Sequence, residues 1–370
     1  MPTHSTSCCA SSSPPSPEPG RSPYDPGPTP TAPYPSRRGP LMSDLITTTF
    51  FSILAAGFIV GVVVGLTGMG GGALMTPALI FLGVGDAATV VTADLTAAAV
   101  YKSGGAIVHS REGSPNFSLA KWLIIGSVPM ALLGPWLIHQ IAGEEPESVD
   151  TLLKEAIGFA LLLAAATYAL RLYINLRRVR GGAANADPNP PIRPLVTLGV
   201  GALGGLLVGV TSVGSGSVIM IALLMLYPGL SAVKLVGTDL VQAVPLVLAA
   251  AISNIVINGL DWEILIPLVL GSVPGTIIGS RIAPRVPQSV IRRGIVIVLT
   301  MSGVALLDKS GWAPLGKEST HPVLIAVIGL VLLVSLPIIW GILRKGQGLP
   351  MFGAPTVAEL DDANFRRPRS

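Results

Sequence analysis

Two clusters of glycine, serine and threonine are the residues of this sequence best suited to chemistry. The first lies in GLTGMGGGALM (65–75) and the second in GVTSVGSGSVI (209–219), and the two align without a gap at a separation of 144 residues. Glycine lets a chain break and turn, and it leaves backbone N–H groups uncovered by a side chain. Backbone N–H groups and hydroxyls are hydrogen-bond donors. The clusters therefore predict the binding of an anion.

Apolar sequence follows each cluster, so we expect a helix to begin near 71–73 and another near 215–217. The N-terminus of a helix carries free N–H donors and partial positive charge, which suit a small oxyanion. In the second cluster Ser212, Ser215 and Ser217 add hydroxyls. Tight turns alone would also explain the glycines, and this alternative stays open.

Three charged residues inside apolar sequence are further candidates, because charge within a membrane is costly and marks function. Asp94 in TADL (92–95) matches Asp239 in GTDL (237–240). Each carboxylate could carry a coupling proton, cap broken helix backbone or pair with a cation. Lys102 follows Asp94 by eight residues, so it could pair with Asp94, attract the anion or extend to the membrane surface.

Composition indicates a polytopic membrane protein of the all-α class. Hydrophobic residues make up 50% of the 370 residues and charged residues only 12%, about half the share in soluble domains. The net charge of +4 does not imply nucleic acid. The four histidines are scattered and the only cysteines are Cys8 and Cys9, so neither a cofactor nor a metal ion is expected.

The chain reads as two copies of five apolar segments and one extra C-terminal helix. The second segment of each copy, near 70–84 and 215–227, is short for a full crossing, which indicates broken or re-entrant helices. The predicted organisation, from a disordered Pro/Ser-rich tail to a polar C-terminal tail, is tail 1–41, repeat 42–174, linker 175–194, repeat 195–307, final helix 308–343 and tail 344–370.

Loop charge predicts that the two repeats are inverted in the membrane. Arginines concentrate in the linker, which therefore lies in the cytoplasm, whereas the acidic loop at 143–150 lies outside. Inverted repeats with interrupted helices are a recurring plan of secondary transporters, in which the substrate sits near the membrane midplane. Pro129 and Pro274 occupy matching places in GSVPMALLG (126–134) and GSVPGTIIG (271–279) and are candidate hinges.

These motifs together, over about 45–343, resemble the sulfite exporter TauE/SafE family of membrane permeases. The resemblance implies multi-pass insertion in the cytoplasmic (inner) cell membrane and transport of small sulfur-containing anions, driven by an ion gradient, with a proton as the coupling ion. Matched by position, it implies substrate contacts at Thr67, Gly70, Gly71, Gly72, Thr211, Gly214, Ser215 and Gly216.

Two other classes of function stay open at this point. A cation permease would use carboxylates and carbonyls at the breaks, whereas these clusters offer N–H groups and hydroxyls. A membrane enzyme would need clustered ionisable residues on neighbouring helices, and the sequence shows no such cluster. We therefore expect a transporter and not an enzyme.

Overall fold

The structure is a computed structural model, and it describes residues 41–67, 71–111, 115–143, 145–180, 191–227, 230, 232–283, 288–312 and 321–346. The chain divides into two compact units, Met1–Asp44 and Leu45–Ser370. The predicted tails lie almost wholly outside the described residues. All the contacts reported below lie within the second unit.

The described residues form eleven α-helices and no strand, so the predicted all-α class is confirmed. In chain order the helices are α1 Leu41–Thr67, α2 Gly72–Leu82, α3 Ala87–Arg111, α4 Phe117–Ala142, α5 Pro146–Arg180, α6 Pro194–Thr211, α7 Val218–Leu226, α8 Ala232–Asn258, α9 Trp262–Ile282, α10 Gln288–Lys309 and α11 Pro322–Lys345.

The two short segments of the sequence form two short helices. Helix α2 has 11 residues and α7 has nine, so they rise about 16 Å and 14 Å, well below the roughly 30 Å of a bilayer core. Helix α5 extends to Arg180, six residues into the predicted linker, and α6 begins with Pro194 at its first position. Proline is favoured there because the first N–H groups of a helix have no intrahelical acceptor.

Capping residues in the sequence explain several other helix ends. The Asn116 side chain accepts from the backbone N–H of Leu119 at 3.1 Å, and Asp261 accepts from that of Glu263 at 2.8 Å. Both are N-caps that satisfy a free donor of the first turn. At its C-terminus α2 ends on Gly83, which has a left-handed φ of 67°.

Six of the helices are long and apolar enough to cross a membrane, counting only the described residues: Thr48–Thr67, Phe117–Ala142, Pro194–Thr211, Lys234–Asn258, Trp262–Ile282 and Pro322–Lys345. The last of these, in α11, buries only Gly329, Gly341 and Arg344. Its apolar side chains are therefore left for lipid, as in a helix at the edge of a membrane bundle.

Glycine stripes hold α6 against α4 and α1 against α9 at backbone distance. Gly201, Gly205 and Gly209 of α6 lie against the backbone of Leu123, Ser127 and Ala131 of α4. A Cβ atom at any of the three would clash with a backbone carbonyl oxygen of α4. Small residues permit such close approach in membrane helices. The glycines spaced by four residues are therefore packing faces, the role that small residues at this spacing predict in membrane helices.

The same arrangement occurs between α1 of the first repeat and α9 of the second. Gly57, Gly61 and Gly65 of α1 lie against Leu268, Ser272 and Thr276 of α9. The partners on α9 are offset by 145 residues from those on α4. The first helix of each repeat thus packs on the fourth helix of the other, and α3 packs on α8 and α5 on α10. These pairings are the ones expected when two equivalent repeats are related by a two-fold axis. The inverted orientation of the repeats and the domain boundaries stay predictions.

The close crossing of α4 and α6 makes a stability prediction. Gly205→Ala should lower the melting temperature of the purified full chain, because overpacking at a backbone contact costs about 1–3 kcal/mol. Gly199→Ala on the same helix is the matched control, since a Cβ there would meet nothing within 4 Å. The control should melt at the wild-type temperature or slightly higher, because alanine favours helix. Equal melting temperatures for the two variants would contradict this account of the crossing.

Candidate functional site

The two glycine-rich clusters interrupt the fold between α1 and α2 and between α6 and α7. Helix α2 begins at Gly72, and the backbone N–H groups of Leu74 and Met75 both donate to the Gly71 carbonyl at 2.9 Å. Helix α7 begins at Val218, whose N–H donates to the Gly214 carbonyl at 3.0 Å. Both helices thus begin at or just after the positions predicted. Gly70 lies outside the described residues.

Lys102 is the basic side chain that reaches the second break. It lies near the middle of α3, is 6% exposed, and donates from Nζ to the Ser215 hydroxyl at 2.7 Å. It therefore does not extend to the membrane surface. Asp239 and Asp94 both interact with it electrostatically, but among the described side chains neither forms a salt bridge with it. Lys102 thus keeps N–H donors that no carboxylate occupies.

Asp94 holds the second break to the first short helix. It is completely buried, and its Oδ2 atom accepts from the Thr76 hydroxyl at 2.6 Å and the Ser212 hydroxyl at 2.8 Å. Its Oδ1 atom has no partner among the described residues. Thr76 was not predicted as a site residue, since nothing in the sequence marks it except its position one turn into α2. Asp94 and Lys102 are about 12 Å apart along α3, and both reach the same break.

Asp239 has a different environment although the repeat makes it equivalent to Asp94. Its Oδ1 atom accepts from Gln242 Nε2 at 3.0 Å, a contact within α8 itself. The residue that matches Thr76 in the second repeat is Met220, which offers no hydroxyl. Among the described residues Asp239 therefore makes no link between helices like that of Asp94.

Tyr101 reaches the first break from the same helix as Lys102. Its hydroxyl oxygen accepts from the Gly71 N–H at 3.1 Å, and a Cβ at Gly71 would clash with that oxygen. The Gly71 N–H, which the sequence predicted to face an anion, is therefore already hydrogen-bonded to Tyr101. Tyr101 was not predicted, since the sequence offers only an aromatic residue on an apolar helix.

The remaining predicted contacts fall into two groups. The hydroxyls of Thr67 and Thr211 donate to the carbonyls of Val63 and Leu207, four residues earlier, at 2.8 Å and 2.7 Å. Their hydroxyl protons are therefore already bonded to backbone carbonyls near the C-terminal ends of α1 and α6. By contrast, the Ser217 hydroxyl is buried, does not cap α7, and has no partner among the described residues. It is a free polar group at the start of α7.

The backbone of the second break has an unusual shape. Ser212 has a φ of 60°, a left-handed conformation found at no other non-glycine residue of the described part, and Gly214 has a φ of 128°. The Gly216 carbonyl accepts from the Tyr168 hydroxyl at 3.2 Å. A Cβ at Gly72 would clash with the Ser212 carbonyl, so the first short helix begins directly against the second break.

Pro129 and Pro274 are not part of this cluster. They lie inside α4 and α9 at matching positions, and both are exposed on the outside of the bundle. A hinge role for them stays a prediction. No three His, Cys, Asp or Glu side chains of the described residues come together closely enough to hold a metal ion.

Comparison with known proteins places the chain in a family. The family model "Sulfite exporter TauE/SafE" matches residues 53–306. The chain is 37% identical over 256 residues to "Probable membrane transporter protein YjnA" of Bacillus subtilis (strain 168), covering 69% of this chain and 99% of the relative. It is 26% identical over 255 residues to "Probable membrane transporter protein YdhB" of the same organism, with the same coverage of both chains.

No solved structure matches the chain. The helical bundle, its candidate spans and these relatives agree on a multi-pass protein of the cell membrane. The family match covers well over half of the chain, from within α1 to within α10. The chain therefore belongs to the sulfite exporter TauE/SafE family of membrane transporters.

Proposed function

We propose that this transporter moves a small anion, sulfite or an organosulfonate, across the cytoplasmic membrane. In this proposal the anion binds at the second break, between Lys102 and the N-terminus of α7. The family description supports the sulfur-containing class. The hydrogen-bond donors at the second break support a negatively charged substrate.

One observation carries the proposal: two positive features meet at Ser215. The buried Lys102 ammonium donates to the Ser215 hydroxyl, and Ser215 lies three residues before the first residue of α7. A helix N-terminus carries partial positive charge of its own. An anion bound between the ammonium and the helix terminus would be attracted by both.

A second, independent observation supports the same place. Ser217 immediately precedes α7, is 6% exposed, and has no hydrogen-bond partner for its hydroxyl among the described residues. A buried polar group without a partner costs about 1–3 kcal/mol. An oxyanion that accepts from this hydroxyl would remove that cost.

A cation permease fits this break less well. The carboxylates that a cation would need are Asp94 and Asp239, and one oxygen of each already accepts from neutral side chains. The Lys102 ammonium, which would repel a cation, lies close enough to interact electrostatically with both. We therefore assign two roles to these carboxylates: fixing the structure of the site and coupling transport to an ion gradient.

Replacing the buried ammonium tests the proposal. Lys102→Met keeps the length of the side chain but removes its charge, so sulfite uptake by proteoliposomes should fall at least tenfold. A hydrogen bond between charged groups contributes about 1.5–3 kcal/mol, which is roughly ten- to a hundredfold. Lys121→Met is the control, since Lys121 is exposed on α4. If Lys102→Met transports sulfite like wild type, the anion does not bind at this break.

We infer that a proton is the coupling ion and that Asp239 carries it. Asp94 accepts from two hydroxyls of two other elements, whereas within the described part of the chain Asp239 accepts from Gln242 of its own helix. Asp239 also interacts electrostatically with Lys102 of α3 and Arg171 of α5. Protonation of Asp239 would thus change the charge around the lysine that holds the anion.

Carboxamide variants test the coupling proposal. Asp239→Asn should keep sulfite affinity but lose sulfite accumulation driven by a pH gradient. Asp94→Asn should lower the melting temperature, because its carboxylate links α2 to the second break, and should keep the response to the gradient. Gradient-driven accumulation that survives in Asp239→Asn would reject a proton carried there.

A further inference from the structure

The two breaks are contacted by consecutive residues of one helix. Tyr101 bonds to Gly71 in the first break and Lys102 bonds to Ser215 in the second. Positions 71 and 215 match each other in the repeat, at the separation of 144 residues. The matching residues of α8 are Leu246 and Val247, which are buried and apolar. Helix α3 therefore supplies a side-chain contact to each of the two breaks.

The contact at the first break leaves one donor unused. The Tyr101 hydroxyl oxygen accepts from the Gly71 N–H at 3.1 Å, and its phenolic O–H donates no hydrogen bond within the described residues. The side chain is packed against the hydrophobic core, so water does not surround the group freely. A partly buried O–H group that also accepts a hydrogen bond becomes a stronger donor.

We propose that Tyr101 is a substrate-binding residue whose phenolic O–H donates a hydrogen bond to the anion. The first break then acts through a relay in which the Gly71 N–H donates to the Tyr101 oxygen and the Tyr101 O–H donates to the substrate. This rests on the proposed function, since it assigns a second donor to the same anion. The bound species has more than one acceptor oxygen, as sulfite and sulfonates do, because Tyr101 and Lys102 approach it from different breaks.

The relay gives the glycine at position 71 a specific role. A Cβ at that position would clash with the Tyr101 hydroxyl oxygen, although the φ of −64° would permit alanine. Gly71→Ala should therefore displace the phenol and have the same effect as Tyr101→Phe. Because both changes remove one interaction, their effects should not add in the double variant.

Isothermal titration of the purified full chain with sulfite and with sulfoacetate tests the relay. Tyr101→Phe should bind the anion about tenfold more weakly, at the lower end for a hydrogen bond to a charged group. Gly71→Ala and the double variant should show the same loss within twofold. Gly199→Ala combined with Tyr101→Phe is the control pair and should bind like Tyr101→Phe alone.

Tyr227→Phe is the matched tyrosine control. Tyr227 follows the far end of α7, and its hydroxyl pairs with the Arg193 N–H at 2.9 Å and with Thr197 at 2.6 Å. Its loss should lower the melting temperature and leave anion affinity unchanged. Tyr101→Phe, by contrast, should lower anion affinity.

The possible failures can be told apart. If Tyr101→Phe binds like wild type while Lys102→Met loses the anion, the relay is wrong and the anion site at the second break stands. Additive losses in the double variant would also overturn the relay. If the wild type binds neither sulfite nor sulfoacetate, the relay and the proposed function fail together. Should Gly71→Ala not fold, Tyr101→Phe alone still decides.

Discussion

A lysine ammonium buried among membrane helices is the constraint on which this site depends. Charge at such depth is unfavourable unless neighbouring groups compensate it. Lys102 finds a hydroxyl at Ser215 and two carboxylates, Asp239 and Asp94, that interact with it without forming a salt bridge. Because the ammonium is held but not neutralised by a direct contact, it can meet an anion without first breaking an ion pair.

The surrounding fold serves to bring this lysine to the break. The glycine stripes of α1 and α6 allow α9 and α4 to approach at backbone distance. Helices α3 and α8 pack on each other between them. Asp94 then ties Ser212 of the second break to Thr76 of α2, so one carboxylate fixes elements from both repeats.

The two repeats have the same backbone plan and different chemistry. Position 68 is glycine in the first repeat, whereas its equivalent, Ser212, has a left-handed backbone and uses its hydroxyl for Asp94. Serine at that φ is strained relative to glycine, which indicates that the hydroxyl offsets the strain. Tyr101 and Lys102 of α3 contact the two breaks, whereas the matching residues of α8, Leu246 and Val247, are apolar, so the two repeats contribute differently although the helices exchange in pairs.

The sequence was sufficient to predict the helices, the short elements α2 and α7 and the glycine packing faces, because these follow from period, length and spacing. It also marked Asp94, Asp239 and Lys102, since charge stands out in apolar sequence. It did not reveal Thr76 or Tyr101, because a threonine or tyrosine on an apolar helix gives no signal until its neighbour is known. Nor could it show that the Thr67 and Thr211 protons satisfy helix carbonyls, since that depends on local geometry.

The central claim is that an oxyanion binds between Lys102 and the start of α7. The most direct measurement is a structure of the full chain with selenite, a heavier analogue of sulfite whose selenium can be located by anomalous scattering. The account predicts one selenium peak, with selenite oxygens about 3 Å from Lys102 Nζ and from the Ser217 hydroxyl. It also predicts that this peak disappears in Lys102→Met. A peak elsewhere in the bundle, or one that persists in that variant, would contradict the account.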